Sequence, residues 1–407
     1  MNRKIPMFVF TLIAMLCLGL VYGWSIFVVP LETEFGWQRS QTSLTFTISM
    51  IAMTLGIMAG GQFNKRKDKA LLSLLIAAIL LFAGFAAASR AQALMHFYIF
   101  YGMFCGFGVG FAYVEMIAIP SKWFPGKQGL SSGMLMMCFG LGAMILGTVC
   151  SALMNAIGWR TTFLILGILF GILILAEGVM LQSTVKPKSN KPEKKSESEA
   201  GSLTTGQMTR SSDFKALYVW LIFISAAGLA LMGHIAPCAI QMGAGGELAA
   251  VIAGIVSVSN GAGRIVYGLL YDKLGVKKTL LLICAIFLIA AVTIAAAVTV
   301  ESLPLLIAGC ILVGLSFGAA PTSSSAVVIR FYGPRYFSSN FGIISTQLII
   351  AALLGPMLAG KLYTMTGNYI ATFYGVVGLG ILSLAVVFAV LRLAGKNGRS
   401  LDKDYSN

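Results

Sequence analysis

Arg264 is the residue of this chain whose type and position say most about chemistry. It closes the run Asn260-Gly261-Ala262-Gly263-Arg264 inside the apolar block 248–271. In a helix over that block it lies about eight residues, or about 12 Å, from the nearer end. An arginine at that depth in hydrocarbon costs at least ~2.5–3.5 kcal/mol, so it must face a wet cavity or a partner. Two readings are open: an ion pair with a buried acid, or a planar fork that holds a carboxylate through two parallel hydrogen bonds.

Two more ionisable side chains stand in apolar blocks. Glu115 lies in block 94–121 near Tyr113, and His234 lies in block 214–242 before Pro237. A membrane-buried acid is a candidate proton site, and histidine is the side chain that titrates nearest neutrality. Each also has a structural reading. Glu115 could pair with Arg264 or a hydroxyl, and His234 could be a satisfied hydrogen-bonder. The Tyr113 hydroxyl can donate to a carboxylate, and Gln347 is a polar neighbour in block 337–363. Tyr22 is a weaker candidate, because aromatic packing explains it as well. The seven cysteines lie in apolar stretches without ligand-like spacing, so no metal and no cofactor are expected. Two histidines without an acidic cluster do not supply a catalytic constellation.

These residues sit in a chain of 407 that is 58% apolar and 11% charged, with a mean hydropathy of +0.88. Soluble domains carry about 25% charged residues, so this one could not cover a water-facing surface. Continuous apolar blocks such as Leu71–Ala88 and Thr279–Val298 match α-helical spans of about 20 residues, not alternating barrel strands. Twelve such blocks fall between residues 7 and 394, among them the pairs 130–154 and 160–182, and 248–271 and 278–299. The first, Met7 to Leu31, reads as a span and not as a cleaved leader. With the N-terminus in the cytoplasm, 24 of the 29 basic residues fall on the cytoplasmic side. Four (Arg39, Arg90, Arg160 and Lys361) fall outside, and Arg264 is within a span. This positive-inside asymmetry places both termini in the cytoplasm of a multi-pass protein of the cell membrane. The net charge of +15 then faces anionic lipid, and nucleic acid is not expected as a partner.

The chain also repeats itself. Residues 183–213 are rich in Ser, Lys, Glu and Thr, and read as a disordered or weakly ordered linker. They separate a six-span bundle over 1–182 from a second over 214–394, followed by a tail over 395–407. A basic loop follows Gly61 and another follows Gly268, 207 residues apart; Lys122-Trp123-Phe124-Pro125 and Arg330-Phe331-Tyr332-Gly333 are 208 apart. Parallel repeats of an even number of spans place a cavity at the midplane between them. Gly102, Gly106 and Gly110 form a small-residue stripe for close helix packing.

The run from Gly268 through Asp272, Lys273 and Gly275 to Lys277 and Lys278 resembles the signature loop of the major facilitator superfamily, a resemblance that covers the whole chain. Lys122-Trp123-Phe124-Pro125 with Gly129, Leu130 and Gly133, together with Tyr22, Trp24 and Ser25, is similar to the oxalate/formate antiporter branch related to monocarboxylate transporters. The resemblance implies twelve helices as two pseudo-symmetric six-helix bundles, a monomer, and a small carboxylate anion as cargo with a proton as partner. It implies that Arg264 binds the carboxylate, with Tyr113, Asn260, Gln347 and Tyr22 nearby. It also implies a gating role for Gly268, Asp272, Lys273, Gly275 and Lys277. Two departures matter. Lys65 stands where the first loop would carry an acid matching Asp272. Leu348 stands where oxalate carriers place a lysine for a second carboxylate, so a monoanion is expected over oxalate, with a dicarboxylate exchanger or a transporter-like sensor as alternatives. Related carriers have an aspartate at Asn260, which cannot titrate; Glu115 and His234 are the proton candidates left.

Overall fold

The computed structural model describes residues 4–67, 70–124, 126–183 and 201–401, which are helical almost throughout. Ten helices among them are long and apolar enough to cross a membrane. Two are of double length: Gln128–Gln182 has 55 residues and Gly246–Thr299 has 54. Each would run about 80 Å if straight, against about 30 Å of hydrocarbon. Each breaks instead at one glycine, Gly158 at φ 77° and Gly275 at φ 78°. These backbone angles are essentially confined to glycine. Divided there, ten helices become twelve crossing segments, and the breaks fall in the gaps between the paired apolar blocks.

The chain forms two compact units. The first comprises residues 1–125, 134–200 and 335–346, and the second comprises 126–133, 201–334 and 347–407. Relative to the chain halves, the units trade two short segments: 126–133 holds the start of Gln128–Gln182, and 335–346 holds the helix Phe337–Ser345. The signature glycines show why. In the second unit Gly268 backs onto the Gly129 carbonyl, and in the first Gly61 backs onto the Ser338 carbonyl. A side chain at either glycine would strike backbone. The two signature glycines, 207 residues apart, thus make corresponding contacts in the two units.

Within the first unit, helix Arg39–Lys67 packs closely on the segment Leu94–Ala118. A Cβ at Gly106 or Gly110 would run into the carbonyls of Ser49 and Met53, as the small-residue stripe predicts. Part of that segment departs from the expected α-helix: Phe97–Cys105 is π-helical. At one end of this unit Arg160 ties the turn after Ala70–Ala88 to the last turn of helix Trp24–Phe35. Its Nη1 donates to the Ser89 and Ala91 carbonyls at 3.2 and 3.0 Å, and its Nη2 to Glu34 Oε1 at 2.8 Å. Trp159 Nε1 donates to the other Glu34 oxygen, and the Arg160 guanidinium lies 4.4 Å from the Trp159 ring centroid.

The Trp159 hydrogen bond, followed by the Arg160 bond and charge, holds the Glu34 carboxyl below its ordinary value of 4.5. A group whose folded pKa is lowered adds stability above its unfolded pKa and loses it as pH falls through the folded one. Acidification below about pH 4.5 is therefore expected to cost the wild type stability that a Glu34→Gln variant never had. Thermal unfolding followed by tryptophan fluorescence across that range tests this; parallel pH profiles for the two proteins would rule it out.

The second unit carries the described parts of the linker and tail, while residues 184–200 and 402–407 lie outside the described residues. Where composition reads a linker, the structure has a helix, Thr205–Arg210. A capping box between Thr204 and Gln207 starts it, Met208 is buried beneath it, and Leu203 N donates to the Tyr332 carbonyl at 2.8 Å. Reciprocal capping and one apolar anchor are enough to order a short polar segment.

Candidate functional site

The site residues fall in two sets, one in each unit. In the second unit Arg264 is only 9% exposed. Tight packing fixes its backbone: Gly133 lies against the Arg264 carbonyl, Gly318 lies against the Asn260 carbonyl, and Thr322 Oγ1 donates to the Arg264 carbonyl at 3.3 Å. The side chain is turned by its own helix. Arg264 Nη2 donates to Asn260 Oδ1, one turn earlier, at 3.0 Å. An amide oxygen orients a guanidinium without cancelling its charge. Asn260 Nδ2 is buried and has no hydrogen-bond partner among the described residues. An unmet N–H donor on the group that steers a buried guanidinium is what an anionic oxygen would satisfy.

Gln347 begins the helix Gln347–Thr366. It is buried, and its Oε1 has no hydrogen-bond partner among the described residues. His234 is half-buried in Ser212–Gln241, with Nδ1 3.4 Å from the Tyr369 hydroxyl and Nε2 3.3 Å from the Pro356 carbonyl. A carbonyl only accepts, so Nε2 is the donor toward Pro356.

The signature loop is ordered by Asp272. Its Oδ1 accepts from Gly129 N at 3.0 Å and its Oδ2 from Leu130 N at 2.8 Å. These are two of the open N–H groups at the start of Gln128–Gln182, where the helix dipole favours a negative charge. Arg330 lies 3.8 Å from the same carboxylate. Gly275 supplies the break after it, while Lys273 and Lys277 are exposed. At the equivalent place in the first unit, Ser339 Oγ donates to the Gly61 carbonyl at 2.9 Å. The side chain of Lys65 lies outside the described residues, as do Pro125 of the Lys122–Pro125 motif and the Lys122 side chain.

In the first unit Tyr113 and Tyr22 both meet Phe139 edge-on, with ring centroids at 4.8 and 5.2 Å. Tyr113 also stacks on Phe341 at 6.4 Å. Glu115 is fully buried on Gly106–Ala118. A second fully buried acid, Glu177, escaped the sequence reading: Thr11 Oγ1 bonds its Oε1 at 2.7 Å and also reaches the Met7 carbonyl at 3.0 Å. The signal was available, since an acid inside block 160–182 is as anomalous as one inside 94–121.

Three comparisons bear on this arrangement. The family model described as Major Facilitator Superfamily matches residues 11–346 and 221–404. The chain is 26% identical to monocarboxylate transporter 12 of Mus musculus, over 92% of this chain and 82% of that protein. It is 24% identical to the oxalate:formate antiporter of Oxalobacter formigenes, over 90% of this chain and 86% of that one. Among solved structures, the Escherichia coli fucose:proton symporter FucP superposes with a TM-score of 0.69 at 13% identity, covering 96% of this chain and 99% of that one. The all-helical fold of twelve crossing segments and the family match agree: this chain belongs to the major facilitator superfamily, a family of multi-pass secondary transporters and not of enzymes.

Proposed function

We propose that the chain moves small monocarboxylates of the lactate, pyruvate or formate kind across the cell membrane by alternating access, with a proton as co-substrate. The observation that carries this reading is Arg264, a nearly buried guanidinium steered by an amide whose own N–H is unmet. The fork takes one carboxylate, Asn260 Nδ2 supplies a further donor, and Tyr113, Gln347 and Tyr22 are assigned as further contacts. The relatives' printed names, a monocarboxylate transporter and an oxalate:formate antiporter, support an organic anion as cargo. Charge decides between one carboxylate and two. Leu348 is apolar, so a dianion facing Arg264 would leave its second carboxylate poorly compensated in a low dielectric. The 24-to-4 division of basic residues supports cytoplasmic termini.

Counterflow of labelled lactate, pyruvate, formate and oxalate in proteoliposomes tests this. Saturable monocarboxylate exchange tighter than oxalate exchange is expected. Tighter oxalate exchange would establish the dicarboxylate exchanger instead, and binding without exchange would establish a sensor.

Glu115 is the proposed proton site. It is a fully buried acid in a span, and His234 is half-buried and held by Tyr369 and Pro356. Glu115→Gln is expected to abolish acceleration of uptake by an imposed pH gradient, and His234→Gln to retain it. An unaltered pH response in Glu115→Gln would make the carrier an exchanger or place coupling elsewhere.

A further inference from the structure

One cavity of the first unit is lined by none of the residues assigned to the cargo. This cavity of about 550 Å³ opens beside the turn that follows Ala70–Ala88, with Phe82, Phe100 and Leu164 on its apolar walls and Arg90 and His96 at its rim. Phe82 and Leu164 are exposed at the unit's surface, so hydrocarbon chains reach the groove directly. Arg90 sits in the turn just after the helix ends at Ala88. Its guanidinium is exposed and has no ion-pair or hydrogen-bond partner among the described residues.

The rim is built, not incidental. Arg160 holds the carbonyls of Ser89 and Ala91, the two residues flanking Arg90. Of the two acids on the last turn of Trp24–Phe35, Glu34 is taken up by Arg160 and Trp159 and Glu32 accepts from Thr42 Oγ1, and neither is paired with Arg90 among the described residues. Gln92 N–H donates to His96 Nδ1 at 3.3 Å, so the neutral ring carries its proton on Nε2 as a further donor. Phe100 comes from the π-helical stretch Phe97–Cys105, a rare conformation enriched at functional positions.

We propose that this groove binds a phospholipid with an anionic headgroup, its phosphate on Arg90 and His96 and one acyl chain along Phe82, Phe100 and Leu164. The argument is charge complementarity at the rim joined to an apolar trough that opens on the hydrocarbon. A zwitterionic lipid would fill the trough but bring its own cation to the arginine.

Purified protein in a neutral detergent would be titrated with phosphatidylglycerol and with phosphatidylcholine, reading bound lipid by native mass spectrometry and protection by thermal unfolding. Wild type is expected to prefer phosphatidylglycerol by about fivefold, the contribution of one engaged arginine. Arg90→Ala should remove that preference, and His96→Gln should weaken binding of both lipids, since each carries the phosphate to which Nε2 donates. Lys361→Ala, an exposed cation in the other unit, should leave the preference intact. Equal affinity for the two lipids, or equal loss in Arg90→Ala and Lys361→Ala, would overturn the proposal. So would protection by inorganic phosphate or glycerol phosphate matching that by the lipid, since the trough would then play no part. These readouts do not depend on the identity of the cargo.

Discussion

Replacing Arg264 with alanine is expected to remove saturable monocarboxylate exchange while the protein still folds and elutes as the wild type does. Truncating one partner of a buried, hydrogen-bonded charge pair costs about 2–5 kcal/mol, or on the order of 30-fold to several thousand-fold in affinity. Arg264 is 9% exposed, so solvent screens little of that loss and the effect belongs well inside the range. The series around it separates charge from geometry. Arg264→Lys keeps the positive charge and loses the fork, so it should retain a measurable fraction of transport at raised KM. Asn260→Leu removes both the oxygen that steers Nη2 and the unmet N–H. A hydrogen bond to a charged group is worth about 1.5–3 kcal/mol, which makes a loss of about 10- to 100-fold the expectation there. Initial rates of labelled exchange over a range of concentrations measure all three. Arg264→Ala with wild-type rate and KM would leave the transport proposal without its anchor.

The second large effect is on stability and lies at Asp213. This acid is fully buried in the first turn of Ser212–Gln241, where the helix dipole already favours it. Both of its oxygens are taken by the tail: Asn397 Nδ2 donates to Oδ1, and Arg399 Nε to Oδ2 at 3.4 Å. The Arg399 guanidinium lies 5.4 Å from the Tyr332 ring centroid, and Leu401 accepts from Lys277 N at 3.0 Å. The tail thus straps helix Ser212–Gln241 to the signature loop within one unit. Asp213→Ala leaves Arg399, whose side chain is 13% exposed, without its counter-ion. Removing one member of a buried pair costs about 3–5 kcal/mol, and the aromatic contact keeps this case near the lower end. A chain ending at Lys396 should lose a similar amount, because it loses every group that meets Asp213 from the tail. Thermal unfolding in detergent reads both. A midpoint unchanged in Asp213→Ala would show that the strap contributes no stability.

Some features were legible because hydrocarbon constrains composition directly. A membrane demands long apolar blocks, places cations outside them and makes each buried ion conspicuous. Arg264 and Glu115 therefore stood out without any structure. The two glycine breaks likewise fall in the gaps between block pairs, since a helix of about 80 Å cannot fit in one bilayer. The repeat was legible as an offset, and the structure shows it as Gly268 on Gly129 and Gly61 on Ser338.

What the chain's order of residues determined by itself was its class, its spans, its doubling and the one cation that must be answered. What tertiary structure decided was who answers whom. Asn260 holding Arg264 is a neighbour at one helical turn, but Thr11 with Glu177 and Asp213 with Arg399 join residues 166 and 186 positions apart. The groove at Arg90 needs three segments brought together and one of them wound as a π-helix. Apolar blocks tell a helix to enter the bilayer, where every face is equally greasy, so the rotation of each helix about its axis is set by close packing and polar pairing with distant partners. That rotation chooses which polar atoms meet, and it is written in no local stretch of sequence.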